Sequence, residues 1–293
     1  MKPMKAIYDV PAPAKLNLFL HITGRRPDGY HLLQSVFMLI DWCDTLHFEL
    51  RPDGHIERTD LTTPLPADDL AVRAARLLQQ AGQVRDGVHI SIDKQIPAQA
   101  GMGGGSSDAA STLLALNRLW KLNFSTERLC ELAIRLGADV PFFVRGHNAW
   151  VEGIGEIIRP LENSAQCPPA RFIVVKPEAG LETAKIFSSP LLEWSKNAAT
   201  IEGFAADHYR YGKNDLQSVA QQLCPEVLNA INWLKQQNLD ARMTGSGSAV
   251  FSHITHSADL KDAPGIWKIR ECSNMEVHPL LGWASSEKLS VGV

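Results

Sequence analysis

The sequence is poor in the features that mark several large functional classes. Cysteine is scarce: Cys43, Cys130, Cys167, Cys224 and Cys272 are scattered, odd in number and free of any Cys-x-x-Cys pair. That usage argues against a disulfide framework or a cysteine zinc site, and it fits a reducing cytosol. An excess of positive charge is missing too, with 29 Lys and Arg against 32 Asp and Glu and a formal net charge of −3. A chain whose main work was gripping a phosphate backbone would be strongly basic. Nucleic acid is therefore not an expected partner, although a local pocket for one small anion is compatible with this balance. No apolar stretch approaches the ~18 residues of a membrane span. The opening MKPMKAIYDVPAPAK carries charge but no hydrophobic signal core. The expectation is a cytoplasmic protein with no membrane partner. Histidines such as His47, His55, His147 and His208 show no metal-ligand spacing, and the sequence leaves any metal ligands unknown.

What remains is ordinary globular material: 293 residues, 45% hydrophobic and 21% charged. At roughly 150 residues per domain the length suggests about two domains, each able to bury a core. Leu16, Leu18, Leu20 and Ile22 alternate, predicting a half-buried strand from Lys15 to Ile22. Leu46, Phe48 and Leu50 repeat the pattern, and Asp53-Gly54 then reads as a turn toward a hairpin partner. Asp68 or Asp69 can cap a helix carrying Leu70, Ala74, Leu77 and Leu78, with Gly82 as its stop. Val88, Ile90 and Ile92 form another strand, and Ala109, Ala110, Leu113, Leu114 and Leu116 recur at helical spacing after it. A further helix runs from about Ser125 to Gly137. The Pro-rich stretch PLENSAQCPP (160–169) is the best linker, dividing the chain into 1–163 and 170–293. A strand at Phe172 to Val175, a helix over 226–236 and a second glycine-rich turn, MTGSGSAVF (243–251), follow. The expected class is α+β in two domains.

The order strand, glycine-rich loop, helix at 88–119 carries the strongest chemical signal. Pro97, Ala98, Gln99 and Ala100 lead into Gly101, Met102, Gly103, Gly104 and Gly105, then Ser106, Ser107 and a helix. Glycines let a backbone turn tightly and approach a ligand with no Cβ in the way. The free N–H groups and dipole of the following helix favour an anion such as phosphate. Ser106 or Ser107 is also the expected helix cap. The loop is not a Walker A loop, for no Lys follows the glycines. Nor is it a dinucleotide fingerprint, since Ser106 stands where the last glycine is required.

The stretch PAQAGMGGGSSDAA (97–110) resembles the second motif of the GHMP kinases, a superfamily of small-molecule kinases. PAPAKLNLFLHI (11–22) and TGSGSAVF (244–251) resemble its first and third motifs, in the same order. Three details resemble the branch acting on a cytidine diphosphate-linked methylerythritol: Pro-x-Ala-Lys-Leu-Asn-Leu from Pro13, DGYH (28–31) and LGADVPFF (136–143). The resemblance implies an N-terminal domain like domain 2 of ribosomal protein S5 and a C-terminal ferredoxin-like domain, with substrates meeting between them. It implies transfer of the ATP γ-phosphoryl, with Mg²⁺ on the nucleotide, to the 2-hydroxyl of the methylerythritol unit, on the methylerythritol phosphate route to isoprenoids. Two alternatives are another GHMP kinase of the mevalonate or homoserine type, and a non-catalytic nucleotide-binding relative. A monomer or weak homodimer is expected.

Roles carry over residue by residue from this resemblance. Lys15 and Asp139 form the catalytic pair, and Pro97 to Ser107 the triphosphate loop. Asp69 and Lys94 lie near the adenine, and an acid stands at 69 where relatives often carry Asn. Asn17 contacts the methylerythritol part. Tyr30, His31 and Phe187 take the cytidine, and Thr183 is placed with them in the acceptor site. Gly245, Ser246, Gly247 and Ser248 would close on the phosphate loop from the second half. Without the resemblance, Lys15 reads as a surface charge, Asp139 as a helix cap, and Tyr30 and Phe187 as core aromatics.

Overall fold

The computed structural model describes residues 4–286 except 193, 196 and 259. Its organising element is a pair of long antiparallel strands, β1 (Ala6–Arg25) and β2 (His31–Arg51), joined through the Asp28-Gly29 turn. Their ladder shifts register at four points, and such bulges bend a strand and raise its twist. The far edge of β2 is shared. Its last residues, from Thr45, pair with β4 (Gly87–Asp93), and Leu33 to Phe37 pair with β5 (Ala149–Gly153). β3 (Ile56–Asp60) and β6 (Ile157–Pro160) form the outer edges.

The turn at Asp53-Gly54 does not close the expected hairpin. β3 lies parallel to β4, and β4 sits between β3 and β2. Composition explains the order. β4 buries Val88, Ile90 and Ile92, whereas β3 has one apolar residue, Ile56, followed by charged and polar ones, and suits an edge.

Helices α1 (Leu70–Ala81), α2 (Gly104–Leu119), α3 (Thr126–Ala133) and α4 (Val140–Arg145) cover one face of this sheet. Phe37, Leu39, Leu46 and Phe48 of β2 pack there with Ala74, Leu78, Leu113 and Leu116. The alternate residues Val36, Met38 and Ile40 point the other way, as successive strand side chains must. They share a core with Phe172, Val174 and Phe251 of the second half. The β1 segment expected to be half-buried is thus covered on both faces: Leu16 and Leu18 are buried, and so are Lys15 and Asn17.

The second half is a four-stranded antiparallel sheet, ordered β10-β7-β9-β8. Its strands are β7 (Arg171–Lys176), β8 (Ala241–Met243), β9 (Val250–Ile254) and β10 (Lys268–Ser273). Helices α5 (Thr183–Phe187), α6 (Ile201–Ala206), α7 (Gln217–Leu223) and α8 (Pro225–Gln236) accompany it. Val227, Ala230, Ile231 and Leu234 of α8 pack with Val175, Met243 and Val250. The mixed α and β architecture in two halves is the one expected.

The packing departs from a division at 163–170 in one respect. Beyond β10 the chain returns to the first half: Met275 N–H donates to Leu39 O (2.9 Å) and His278 N–H to Gly146 O (2.8 Å). Leu280 is buried in the first core, with Met275, Trp283 and Ala284 against it. The physical reason is that α4 and β2 leave apolar surface and backbone groups that this tail satisfies. Large-to-small changes at buried leucines cost about 2–5 kcal/mol. Leu280→Ala is therefore expected to lower unfolding free energy by that amount in urea titration, with the first half losing its protection from hydrogen exchange. A variant that weakens only the second half would contradict this packing.

Candidate active site

The loop between β4 and α2 is held from several sides. Gly103 is the residue before the helix, in the left-handed region at φ 71°, and no side chain caps α2. The expected serine cap is therefore wrong: Ser106 and Ser107 lie inside the first turn. Ser107 donates its N–H to Gly103 O at 2.9 Å, and its hydroxyl is buried without a hydrogen-bond partner. Only Ser106 of the two lines the adjoining cavity. Because a helix leaves its first N–H groups without intrahelical partners, an uncapped start leaves those of Gly104, Gly105 and Ser106 available to an anion.

The second half fastens this loop. Ser248 N–H donates to Gln99 O (3.1 Å) and Ala249 N–H to Ala100 O (3.2 Å). Gly101 has φ 70°, and a Cβ there would lie 2.3 Å from the Thr244 carbonyl oxygen. That glycine is required by the turn packed against it, a use of glycine different from open access for a ligand. On the first-half side, Lys15 N–H donates to Met102 O (3.0 Å). Thr183 and Ser246 hydroxyls meet at 2.7 Å, tying α5 to the same turn.

Lys15 lies on β1 beneath the loop with its side chain 5% exposed. Its ammonium donates to Asn17 Oδ1, sits 3.7 Å from Asp139 Oδ2 and lies 4.3 Å from the centre of the Phe37 ring. Burial pushes its pKa below the ordinary lysine value, and the Asp139 carboxylate opposes that shift. Asn17 is fixed in turn: its N–H donates to Thr244 Oγ1 (2.9 Å) and its Nδ2 to Ser35 Oγ (2.8 Å). Asp139 occupies the position before α4 but makes no capping bond. Its partly exposed carboxylate faces Lys15 across the cavity instead.

Lys94 lines the cavity beside the loop, and it also has carboxylate partners within the protein. Its ammonium is shared between Asp44 and Asp108, the latter at 2.7 Å, in a nearly buried cluster. Burial works against its charge, but the two carboxylates outweigh burial and hold Lys94 above its ordinary pKa. Burial likewise pushes the Asp108 carboxyl up, against the pull of Lys94. Asp44 Oδ1 also accepts Gln95 N–H (2.6 Å) and Ile96 N–H (2.8 Å). The cluster therefore staples the entrance of the glycine-rich loop to α2 at its exit. Neither acid stood out in the sequence. Asp108 lies within the motif stretch and its position was legible; Asp44 has no local signal, being 50 residues from Lys94. Asp69 is likewise committed: its Oδ1 caps α1 through Val72 N–H (3.0 Å) and pairs with Arg58 (2.8 Å). Asp69 also lines the cavity, so its carboxylate has structural partners as well as a face toward the site.

These groups line one cavity of about 890 Å³, bounded by Lys15, Asn17, the loop, Asp139 and the 245–247 turn. A smaller one of about 650 Å³ holds Tyr30 and His31, and shares Leu33, Ile154, Thr183, Ala184 and Phe187 with the first. His31 and Phe187 rings lie 5.6 Å apart at 35°, while Tyr30 is exposed. Burial, then the Arg25 charge, lower the His31 pKa, favouring the neutral ring. All three expected aromatic residues come to one place; Ser107 is the expected site residue whose side chain stays away from the cavity. Among the described residues no group of three or more His, Cys, Asp or Glu could hold a metal ion.

Residues 69–147 match the GHMP kinases N terminal domain and residues 196–269 the GHMP kinases C terminal domain. A 4-diphosphocytidyl-2-C-methyl-D-erythritol kinase of Acidovorax sp. (strain JS42) is 67% identical over 280 residues, covering 96% of this chain and 99% of that protein. The corresponding kinase of Paracidovorax citrulli is 66% identical, covering 97% and 100%. A crystal structure of 4-(cytidine 5'-diphospho)-2C-methyl-D-erythritol kinase superposes with a TM-score of 0.73 at 30% identity, over 92% of this chain and 98% of that one. A homoserine kinase from Cytophaga hutchinsonii, 13% identical with a TM-score of 0.68, shares the fold.

The Lys94 cluster makes a direct stability prediction. Removing one partner of a buried ion pair costs about 3–5 kcal/mol, because the other charge is left uncompensated. Lys94→Met is expected to destabilise the ligand-free protein by that amount, and adding Asp108→Asn to recover part of it. Urea unfolding of the three proteins without nucleotide measures both effects. Unchanged stability in Lys94→Met would return Lys94 to the role of a plain nucleotide contact.

Proposed function

The chain belongs to the GHMP kinases, and from that premise we propose that it transfers the γ-phosphoryl of ATP to the 2-hydroxyl of 4-diphosphocytidyl-2-C-methyl-D-erythritol. The observation that carries this reading is the adjacency of the two cavities across shared walls: an ammonium, a carboxylate and an uncapped helix start in one, and an aromatic pocket in the other. An acceptor bearing a nucleobase fills both. A mevalonate or homoserine acceptor has no base and leaves the aromatic pocket without a use. A sensor that only bound nucleotide would need no carboxylate beside a buried lysine.

The chemistry then follows from placement. The triphosphate lies on the Gly104 to Ser106 N–H groups. Mg²⁺ would arrive on the nucleotide and would neutralise phosphate charge there; among the described residues no group of three or more His, Cys, Asp or Glu could hold it independently. Asp139 orients the acceptor hydroxyl and takes its proton as the new P–O bond forms and the bond to the ADP oxygen breaks. Phosphoryl-transfer transition states are often loose, so orientation is the larger part of that role. Lys15 is a fixed cation beside the moving phosphoryl group. It needs no reorganisation at the moment of reaction, because Asn17 and Asp139 already hold it.

Three outcomes test the reading. In an ADP-release assay offering the cytidylyl acceptor, mevalonate and homoserine, turnover is expected with the first alone; turnover with mevalonate alone would sink the assignment. Asp139→Asn should lower kcat by ~10²–10⁴-fold, the usual loss for a positioned base, or about 3–5 kcal/mol. It should also move the alkaline limb. Lys15 is already below the ordinary lysine value of about 10.5, so as pH rises kcat/KM should start to fall before that value is reached, as the ammonium deprotonates. Removing the carboxylate that supports its charge should shift the limb lower still; a limb shifted upward contradicts the pairing. Finally, Tyr30→Ala or Phe187→Ala should raise acceptor KM about 5- to 150-fold, the range for one lost stacking contact, while ATP KM holds steady.

A further inference from the structure

We propose that Trp194 is a positioning residue for His31 and thereby sets which nucleobase the acceptor carries. The inference rests on reading the smaller cavity as the cytidine site. His31 is the first residue of β2, next to a turn, where an imidazole ordinarily samples several rotamers. An edge hydrogen bond discriminates between bases only if its direction is fixed. Two rings restrict this one: Phe187 at 5.6 Å and 35°, and Trp194 at 6.4 Å and 84°, edge to face. Edge-to-face aromatic pairs have preferred geometry as well as apolar contact.

Trp194 is 50% exposed, unusual for so large a ring. Its neighbourhood is nevertheless anchored. Ser195 N–H donates to Ile22 O (2.9 Å), and its hydroxyl donates to Asp215 Oδ2 (2.6 Å). The same carboxylate oxygen accepts Ile22 N–H (2.8 Å), and Asp215 is itself buried. The indole is thus carried to the outer end of β1, beside the pocket, by bonds that its own burial does not require. Nothing local in the sequence marks it, since the segment joining α5 to α6 has no motif and its neighbour in space is 163 positions away.

The test compares wild type, His31→Ala, Trp194→Ala and Trp194→Phe. Each is assayed with cytidylyl and uridylyl acceptors, and each is titrated calorimetrically with CDP and UDP in the absence of ATP. Trp194→Ala is expected to narrow the cytidine preference about 2- to 12-fold, the equivalent of one lost aromatic pair, with ATP KM unchanged. Trp194→Phe should keep most of the preference, because a ring remains against His31. The nucleotide titrations read the same preference without turnover. If His31→Ala loses the preference and Trp194→Ala keeps it, the inference fails and the cytidine reading stands. If neither variant changes it, both fail together. Equal losses for both acceptors and for ATP would mark Trp194 as merely structural and overturn the proposal.

Discussion

The structure is organised around one buried charge. An ammonium removed from water costs several kcal/mol unless it is paired and hydrogen-bonded, and Lys15 is buried beneath the glycine-rich loop, on the wall of the cavity that residues of both halves bound. Its compensation comes from three elements: Asn17 two residues along the same strand face, Asp139 at the start of α4, and the Phe37 ring of β2. Each has a further support. Asn17 is oriented by Thr244 and Ser35, and α4 is braced at its far end by the returning tail through Gly146. The parts that pair this lysine are therefore the parts that place it beside the glycine-rich loop.

The loop itself gains its shape from bonds at both ends and from across the seam. Asp44, Lys94 and Asp108 join its entrance to its exit. The 243–249 turn closes on its middle, made possible by a glycine at 101 where any Cβ would collide with Thr244. Helix α2 then begins with no capping side chain. An isolated helix would lose stability from that omission; here the unpaired N–H groups face a cavity suited to an anion.

The acceptor side is built differently. Its aromatic residues come from a turn, a strand start, the short helix α5 and the segment between α5 and α6, and Tyr30 and Trp194 remain exposed. Open apolar rings of this kind suit a flat ligand that covers them on arrival. On the proposed reading, the tight, buried half of the site takes the part GHMP kinases share, the nucleotide triphosphate. The open half fits the part that differs among them.

Much was legible in the residues alone. Four glycines in five positions after a strand and before a helix state an anion site, and Asp69 to Gly82 spells a capped helix, because these depend on backbone geometry within a few residues. Three motifs in order were enough to identify the family and to nominate Lys15 and Asp139. The failures share a cause. A serine cap, a hairpin at Asp53-Gly54 and a half-buried β1 are local readings that tertiary contacts overrode: Gly103 took the cap position, β4 displaced β3, and the second half covered the strand's other face. Asp44, Thr244, Ser35 and Trp194 lie far from their partners along the chain and belong to no periodic pattern. Sequence determined the family and nominated the glycine-rich loop and its candidate reactive groups, since those reside in residue type and short spacing. Tertiary structure alone decided which charges are buried together and which rings face one another, because burial and long-range pairing exist only once the two halves have packed.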